Sequence, residues 1–195
     1  IYHDCAEEKA RQAITAKGGE ALLLMAKLGI VGDRSHLSRE AAFLLPSFTK
    51  KPFAATHSNS AALLPHPRNL TDEEIKEIAD RGGVIGVNAY RRFVCPSSEG
   101  AIDGKRRAES QKAEDARGRF QPGLDALCDH VAYLKEKAGE DHVGLGLDFG
   151  EDTVLAGYRD LPKLTAALLR RGFSVETLKI LLGGNWIRFL SESVH

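Results

Sequence analysis

Three residues able to bind a metal or move a proton occupy equivalent places in this sequence. His36 closes the run Gly29–His36 (GIVGDRSH), His57 closes Pro52–His57 (PFAATH), and Asp148 closes His142–Asp148 (HVGLGLD). A fourth run of the same kind, Gly83–Asn88 (GVIGVN), ends in the amide of Asn88. The near-continuous apolar character of these runs predicts strands buried on both faces, as in a parallel sheet. Ligands of parallel sheets and barrels bind at the carboxyl ends of the strands, so the two imidazoles and the carboxylate are expected at one mouth. Imidazole nitrogen suits zinc and related transition metals, and a carboxylate there either joins the metal or transfers protons. A single histidine after a strand is ordinarily a hydrogen-bonded structural group. Only the coincidence of three such residues at matching ends sets a chemical reading beside the structural one.

The other chemistries leave no trace. There is no HExxH helix, no Cys/His finger and no GxSxG nucleophile turn. The three cysteines, Cys5, Cys95 and Cys128, are too scattered for a disulfide framework, and their odd number leaves a free thiol. A reduced, cytoplasmic setting is therefore the favoured expectation. His66-Pro67-Arg68-Asn69 follows His57 in a loop whose backbone Pro67 restrains. That loop would display Arg68, whose fork fits a carboxylate, although a surface ion pair or helix cap accounts for an arginine equally well. His130 falls among Leu127, Val131 and Leu134, where core packing is the better reading.

The elements that must position these groups can be read from capping and periodicity. Glu20–Leu28 has helical spacing and a stop at Gly29. Thr71 and Glu74 form a capping box, flanked by a Leu70/Ile75 staple, with Gly82 as the stop. Leu124–Ala138 is a long helix ending at Gly139, Ser174 caps Val175–Leu182, and Asn185 can cap a last turn. The order is a helix followed by four β-α units, which predicts parallel strands with right-handed crossovers. One segment breaks the rhythm: Glu99–Arg119 carries 11 charged residues in 21 and a single large aliphatic, Ile102. Residues 91–120 are therefore read as a charged loop or lid excursion from a single domain spanning 1–195. With 27 basic and 27 acidic residues the net charge is zero, which argues against nucleic-acid binding by bulk charge and against a polybasic membrane surface. No apolar run reaches the roughly 18 residues of a membrane span.

Read together, these segments resemble the renal (membrane) dipeptidase family, peptidase family M19. The resemblance rests on Leu28-Gly29-Ile30-Val31-Gly32-Asp33-Arg34-Ser35-His36-Leu37-Ser38, on Ala55-Thr56-His57-Ser58-Asn59-Ser60, and on His66-Pro67-Arg68-Asn69-Leu70-Thr71-Asp72-Glu73. It continues through Gly82-Gly83-Val84-Ile85-Gly86-Val87-Asn88-Ala89-Tyr90, Asp141-His142-Val143-Gly144-Leu145-Gly146-Leu147-Asp148-Phe149 and Leu182-Gly183-Gly184-Asn185-Trp186.

The resemblance implies a zinc-dependent dipeptidase on a (β/α)8 TIM barrel of the metal-dependent hydrolase type. By the same carry-over His36 and His57 are ligands of one zinc, Arg68 clamps the substrate carboxylate, Asn88 joins the substrate site, and Asp148 is the acid/base. Departures accompany it. The family's His-x-Asp pair and the glutamate that bridges its two zincs have no counterpart here, so at most one metal ion is expected from the ligands found. Gly32 and Arg34 replace apolar residues, and Gly150 stands where a second acid is usual. A full barrel takes about 250 residues, and four β-α units correspond to strands five to eight. The implied partners are a dipeptide or related small amide, together with a missing N-terminal half or further copies of the chain. The competing class is a non-catalytic half barrel serving as a scaffold or binding module.

Overall fold

The computed structural model describes residues 14–95, 122–150 and 152–193. Helix α1 (Ala16–Lys27) begins where Thr15 Oγ1 accepts from the Gly18 amide at 3.1 Å, and ends before Gly29, whose φ of 72° only glycine adopts freely. Helix α2 (Arg39–Phe48) is capped by Ser38. Helix α3 (Asp72–Asp80) carries the expected capping box, with Thr71 Oγ1 accepting from Glu74 N at 3.3 Å and Glu74 Oε2 from Thr71 N at 2.8 Å. The remaining helices are α4 (Arg91–Val94), α5 (Pro122–Ala138), α6 (Leu161–Arg170), α7 (Val175–Lys179) and α8 (Asn185–Ser193). A π-helical turn, Ile180–Gly184, joins α7 to α8 through a kink at Gly183.

Strands β1 (Ile85–Val87) and β2 (Val143–Leu145) pair in parallel, Ile85 opposite Val143 and Val87 opposite Leu145. Isolated parallel bridges extend this pairing from Ile85 to Ala55 and from Ala54 to Asp33. Four chain segments thus lie side by side in sequence order, as the β-α alternation predicts, but the first two are reduced to single bridges. At the second segment the Thr56 carbonyl oxygen turns into the space where side chains of Gly86 and Gly146 would stand. A Cβ on either glycine would meet that oxygen closer than 3.0 Å. The second segment therefore leaves the regular ladder at the residue before His57, and two glycines accommodate it.

This close approach has a measurable consequence. Gly146→Ala must displace the Thr56 carbonyl, a backbone atom that cannot rotate away. Overpacking of this kind costs about 1–3 kcal/mol and occasionally more. Chemical unfolding should report a loss in that range or larger, whereas alanine at Gly150, where a Cβ meets nothing within 4 Å, should change stability little.

Outside the sheet, α3, α5 and α6 supply most of the apolar cover. Ile75, Ile78, Leu127, Val131, Leu134, Leu164 and Leu168 are fully buried with Ile85, Val87 and Val143. Each such side chain contributes about 1.5–3 kcal/mol of transfer free energy. His130 lies in this core as expected: its Nδ1 accepts from the Ser60 amide at 3.2 Å and its Nε2 faces the Val94 carbonyl at 3.1 Å. Arg34, unusual on a buried segment, finds Glu77 at 2.8 Å and Glu74 at 3.0 Å. Glu74 thus closes the α3 cap and holds a buried cation.

Asn185 does not act as a cap. Its side-chain amide donates to the carbonyls of Glu140 and Val143, both at 2.7 Å, and ties α8 to the entry of β2. Of residues 91–120, those up to 95 are described, and there Phe93 and Val94 of α4 are buried. The charged segment Glu99–Arg119 lies outside the described residues. No helix among the described residues is long and apolar enough to cross a membrane.

Candidate active site

The four strand-end residues are linked to one another. The His36 and His57 rings lie with centroids 4.8 Å apart and planes tilted by 55°. The Asn88 amide donates to the His57 carbonyl at 3.4 Å and reaches Asp148 Oδ2 at 3.5 Å. His36 (φ 70°) and Asp148 (φ 50°) are the non-glycine residues in the left-handed region among those described. His and Asp tolerate this conformation better than most residues, and such positions cluster at functional sites because the surrounding structure must pay to hold them.

Asn88 is fully buried and itself held: its amide N–H donates to Asn59 Oδ1 at 3.0 Å, and its Oδ1 accepts from the Tyr90 amide at 2.5 Å. Asp148, by contrast, is exposed at the rim of a cavity of about 460 Å³ lined by Thr56, His57, Leu145, Leu147 and Tyr158. This is the size of a small-ligand pocket. His36 and Arg68 line an adjoining narrow cleft with Ser35, Ser58 and Pro67.

Arg68 is 5% exposed, and its guanidinium lies 5.1 Å from the Phe93 ring centroid. The loop that carries it is pinned where Asn69 Nδ2 donates to Leu64 O at 2.9 Å and Phe93 O at 3.0 Å. The Nε and Nη2 atoms of Arg68 are nevertheless buried without a hydrogen-bond partner. Leaving a buried donor unpaired costs about 1–3 kcal/mol, more when it is charged. A guanidinium held in this state has donors to spare for an acceptor.

Burial first, and then the Arg68 charge, hold the His57 pKa below the usual histidine value, against opposing contributions from Asp148 and Asp33. Neutral imidazole is the form that lends a lone pair to a metal. With their ring centroids 4.8 Å apart, His36 and His57 could act as two ligands of a transition metal. Zinc takes three or four protein ligands, and no group of three or more His, Cys, Asp or Glu side chains able to hold a metal occurs among the described residues.

Asp33, Thr56 and Asn59 escaped the reading of the sequence as site residues. Asp33 Oδ1 accepts from the amides of Ser35 and Thr56, and Thr56 Oγ1 lies 2.7 Å from His57 Nδ1. The available signal was their place in the chain, a carboxylate three residues before one histidine and a hydroxyl immediately before the other.

His36, His57, Asn88 and Asp148 thus stand together at the carboxyl ends of parallel segments, where ligands of α/β folds bind. Residues 2–194 match the family model for membrane dipeptidase, peptidase family M19, and the chain belongs to that family. A Klebsiella pneumoniae relative, the uncharacterized protein in the pqqA 5′ region, is 34% identical over 182 residues, covering 92% of this chain and 60% of its own length. Dipeptidase ataJ of Aspergillus terreus is 32% identical over 197 residues, covering 97% of this chain and 43% of its own. Among solved structures, the fold is similar to a Rhodobacter sphaeroides metallopeptidase liganded with a phosphinate mimic of L-Ala-D-Ala. The TM-score is 0.79 at 27% identity, covering 99% of this chain and 50% of that one. The M19 dipeptidase AC gives 0.78 at 27%, covering 100% and 51%. The chain thus spans about half the length of the relatives it matches.

Proposed function

We propose that this chain carries the substrate-binding and acid/base half of a zinc-dependent dipeptidase, as strands five to eight of a (β/α)8 barrel. The observation that carries the reading is Arg68, a buried guanidinium with two unpaired nitrogens beside the cleft of His36. A free C-terminal carboxylate is the partner such a fork fits best, and it is present on every dipeptide. Four parallel segments in chain order and a span of about half the relatives' length support the half-barrel assignment.

His36 and His57 would hold the metal, and zinc in such a site polarises a carbonyl and acidifies water. Arg68 takes the substrate carboxylate and so sets which amide lies in the site. Asp148 accepts the proton that water loses as it adds to the amide carbon. It returns that proton to the nitrogen as the C–N bond breaks, releasing two amino acids. Asn88 contributes to substrate binding from beneath, by aiming the Asp148 carboxylate.

The test supplies what these residues lack. Loaded with zinc alone, the chain should hydrolyse dipeptides little or not at all. Adding a segment that carries the family's His-x-Asp pair and bridging glutamate should restore turnover. Robust hydrolysis by the chain alone, with two metals bound, would contradict the half-barrel assignment. No hydrolysis after complementation would favour the scaffold reading instead.

A further inference from the structure

Beneath His57 lies a hydrogen-bond chain in which the direction of every proton follows from the chemistry of the groups. Asp33 Oδ1 accepts from Ser35 N at 2.9 Å and from Thr56 N at 3.0 Å, and Asp33 Oδ2 lies 2.5 Å from Thr56 Oγ1. As a carboxylate, Asp33 can only accept. The single hydroxyl proton of Thr56 is therefore spent on Asp33. What Thr56 Oγ1 offers His57 Nδ1, 2.7 Å away, is a lone pair, so Nδ1 must be the protonated nitrogen.

We infer that Asp33, acting through Thr56, fixes His57 as the Nδ1–H tautomer and thereby presents the Nε2 lone pair to the site. Asp33 and Thr56 are positioning residues, and the inference rests on the reading above only in giving that lone pair a metal to bind. Without such a partner, neutral histidine in water favours the opposite, Nε2–H tautomer, which has no lone pair at Nε2. The backbone on either side of the ring is fixed as well: the His57 amide donates to Ser35 Oγ at 3.0 Å, and its carbonyl accepts from Asn88. Ring orientation and tautomer are thus set before any metal arrives, as the partners behind metal-binding histidines commonly do.

The most informative variant is Asp33→Asn, which keeps the shape and reverses the chain. Because Oδ1 faces two backbone N–H donors, the new amide must keep its oxygen there and place its NH₂ towards Thr56. The amide then donates to Thr56 Oγ1, the hydroxyl proton turns to His57 Nδ1, and the imidazole proton is driven to Nε2. Nitrogen-15 NMR of the metal-free chain, at a pH where the ring is neutral, reads this directly. The wild type should show a protonated Nδ1 and an unprotonated Nε2. Asp33→Asn and Thr56→Val should exchange the two signatures, and Thr56→Ser should restore the wild-type pattern.

Zinc affinity, measured by chelator competition, should fall 10- to 100-fold in Asp33→Asn, the usual effect of losing such a partner. A wild-type ring protonated at Nε2, or an Asp33→Asn ring that folds and keeps Nδ1–H, overturns the inference. The wild-type spectrum alone decides if the variants fail to fold. A tautomer that switches while zinc affinity stays unchanged upholds the relay and overturns the assignment of His57 as a metal ligand. Zinc bound at His57 Nε2 with no tautomer response does the reverse.

Discussion

Asp148→Asn should lower kcat of the complemented enzyme by about 10²- to 10⁴-fold, the usual contribution of a positioned acid/base. That factor corresponds to about 2.7–5.5 kcal/mol of barrier. The substitution is nearly isosteric. Asparagine can keep an oxygen towards the Asn88 amide, now 3.5 Å from Asp148 Oδ2, and it tolerates the left-handed backbone that Asp148 adopts at φ 50°. What it cannot do is hold a proton between the attack of water and the departure of the amine. The loss should therefore fall on kcat, with KM nearly unchanged and with zinc content, measured by elemental analysis, equal to the wild type. A variant that loses zinc together with activity would make Asp148 a ligand. A variant that retains its rate would remove it from the reaction.

How far the site was legible in the sequence depended on whether a group's role is local. The cap of α3 is local, and Thr71, Glu74, Leu70 and Ile75 announced it in the order that the helix uses. The strand ends were legible because apolar runs stop at His36, His57, Asn88 and Asp148; burial on both faces holds for residues 84–87 but not for the first run, where Ile30 is exposed. The shortness of the pairing was not legible. At the second segment it goes with Thr56 turning its carbonyl over Gly86 and Gly146, three residues separated by as much as 90 positions in the chain. Helix α6 was missed for a different reason. Pro162 suits its first turn, but no side chain caps it, so its start carries no capping signal like that of Ser174. Arg34 stood out as a charged residue where an apolar one is usual, but only folding could choose Glu74 and Glu77 as its partners. Asp33 and Thr56 carried only their places next to the two histidines, because what joins them is a contact across adjacent segments.

Arg68→Met should separate stability from function in opposite directions. A structural arginine, buried and paired, costs about 3–5 kcal/mol when its partner is left behind. Arg68 is buried with Nε and Nη2 unpaired, so removing it leaves no orphaned acid at those atoms. Methionine fills much of the same volume against Phe93, and exchanging a buried charge for an apolar side chain is often neutral or stabilising by about 1–4 kcal/mol. The metal-free chain should therefore unfold at an equal or higher denaturant concentration. Function should move the other way. A buried charge pair that loses one member costs about 2–5 kcal/mol in binding, which at 1.4 kcal/mol per decade is about 30- to 4,000-fold in kcat/KM for a dipeptide with a free carboxylate. A C-terminally amidated dipeptide is the control, because it offers the guanidinium no anion. It should be a poor substrate of the wild type and nearly insensitive to the substitution. Arg68→Lys should recover part of the loss, as a point charge without the fork. A large stability loss in Arg68→Met, or equal losses on the free and amidated substrates, would return Arg68 to the ranks of structural arginines and leave the proposed dipeptide specificity without its anchor.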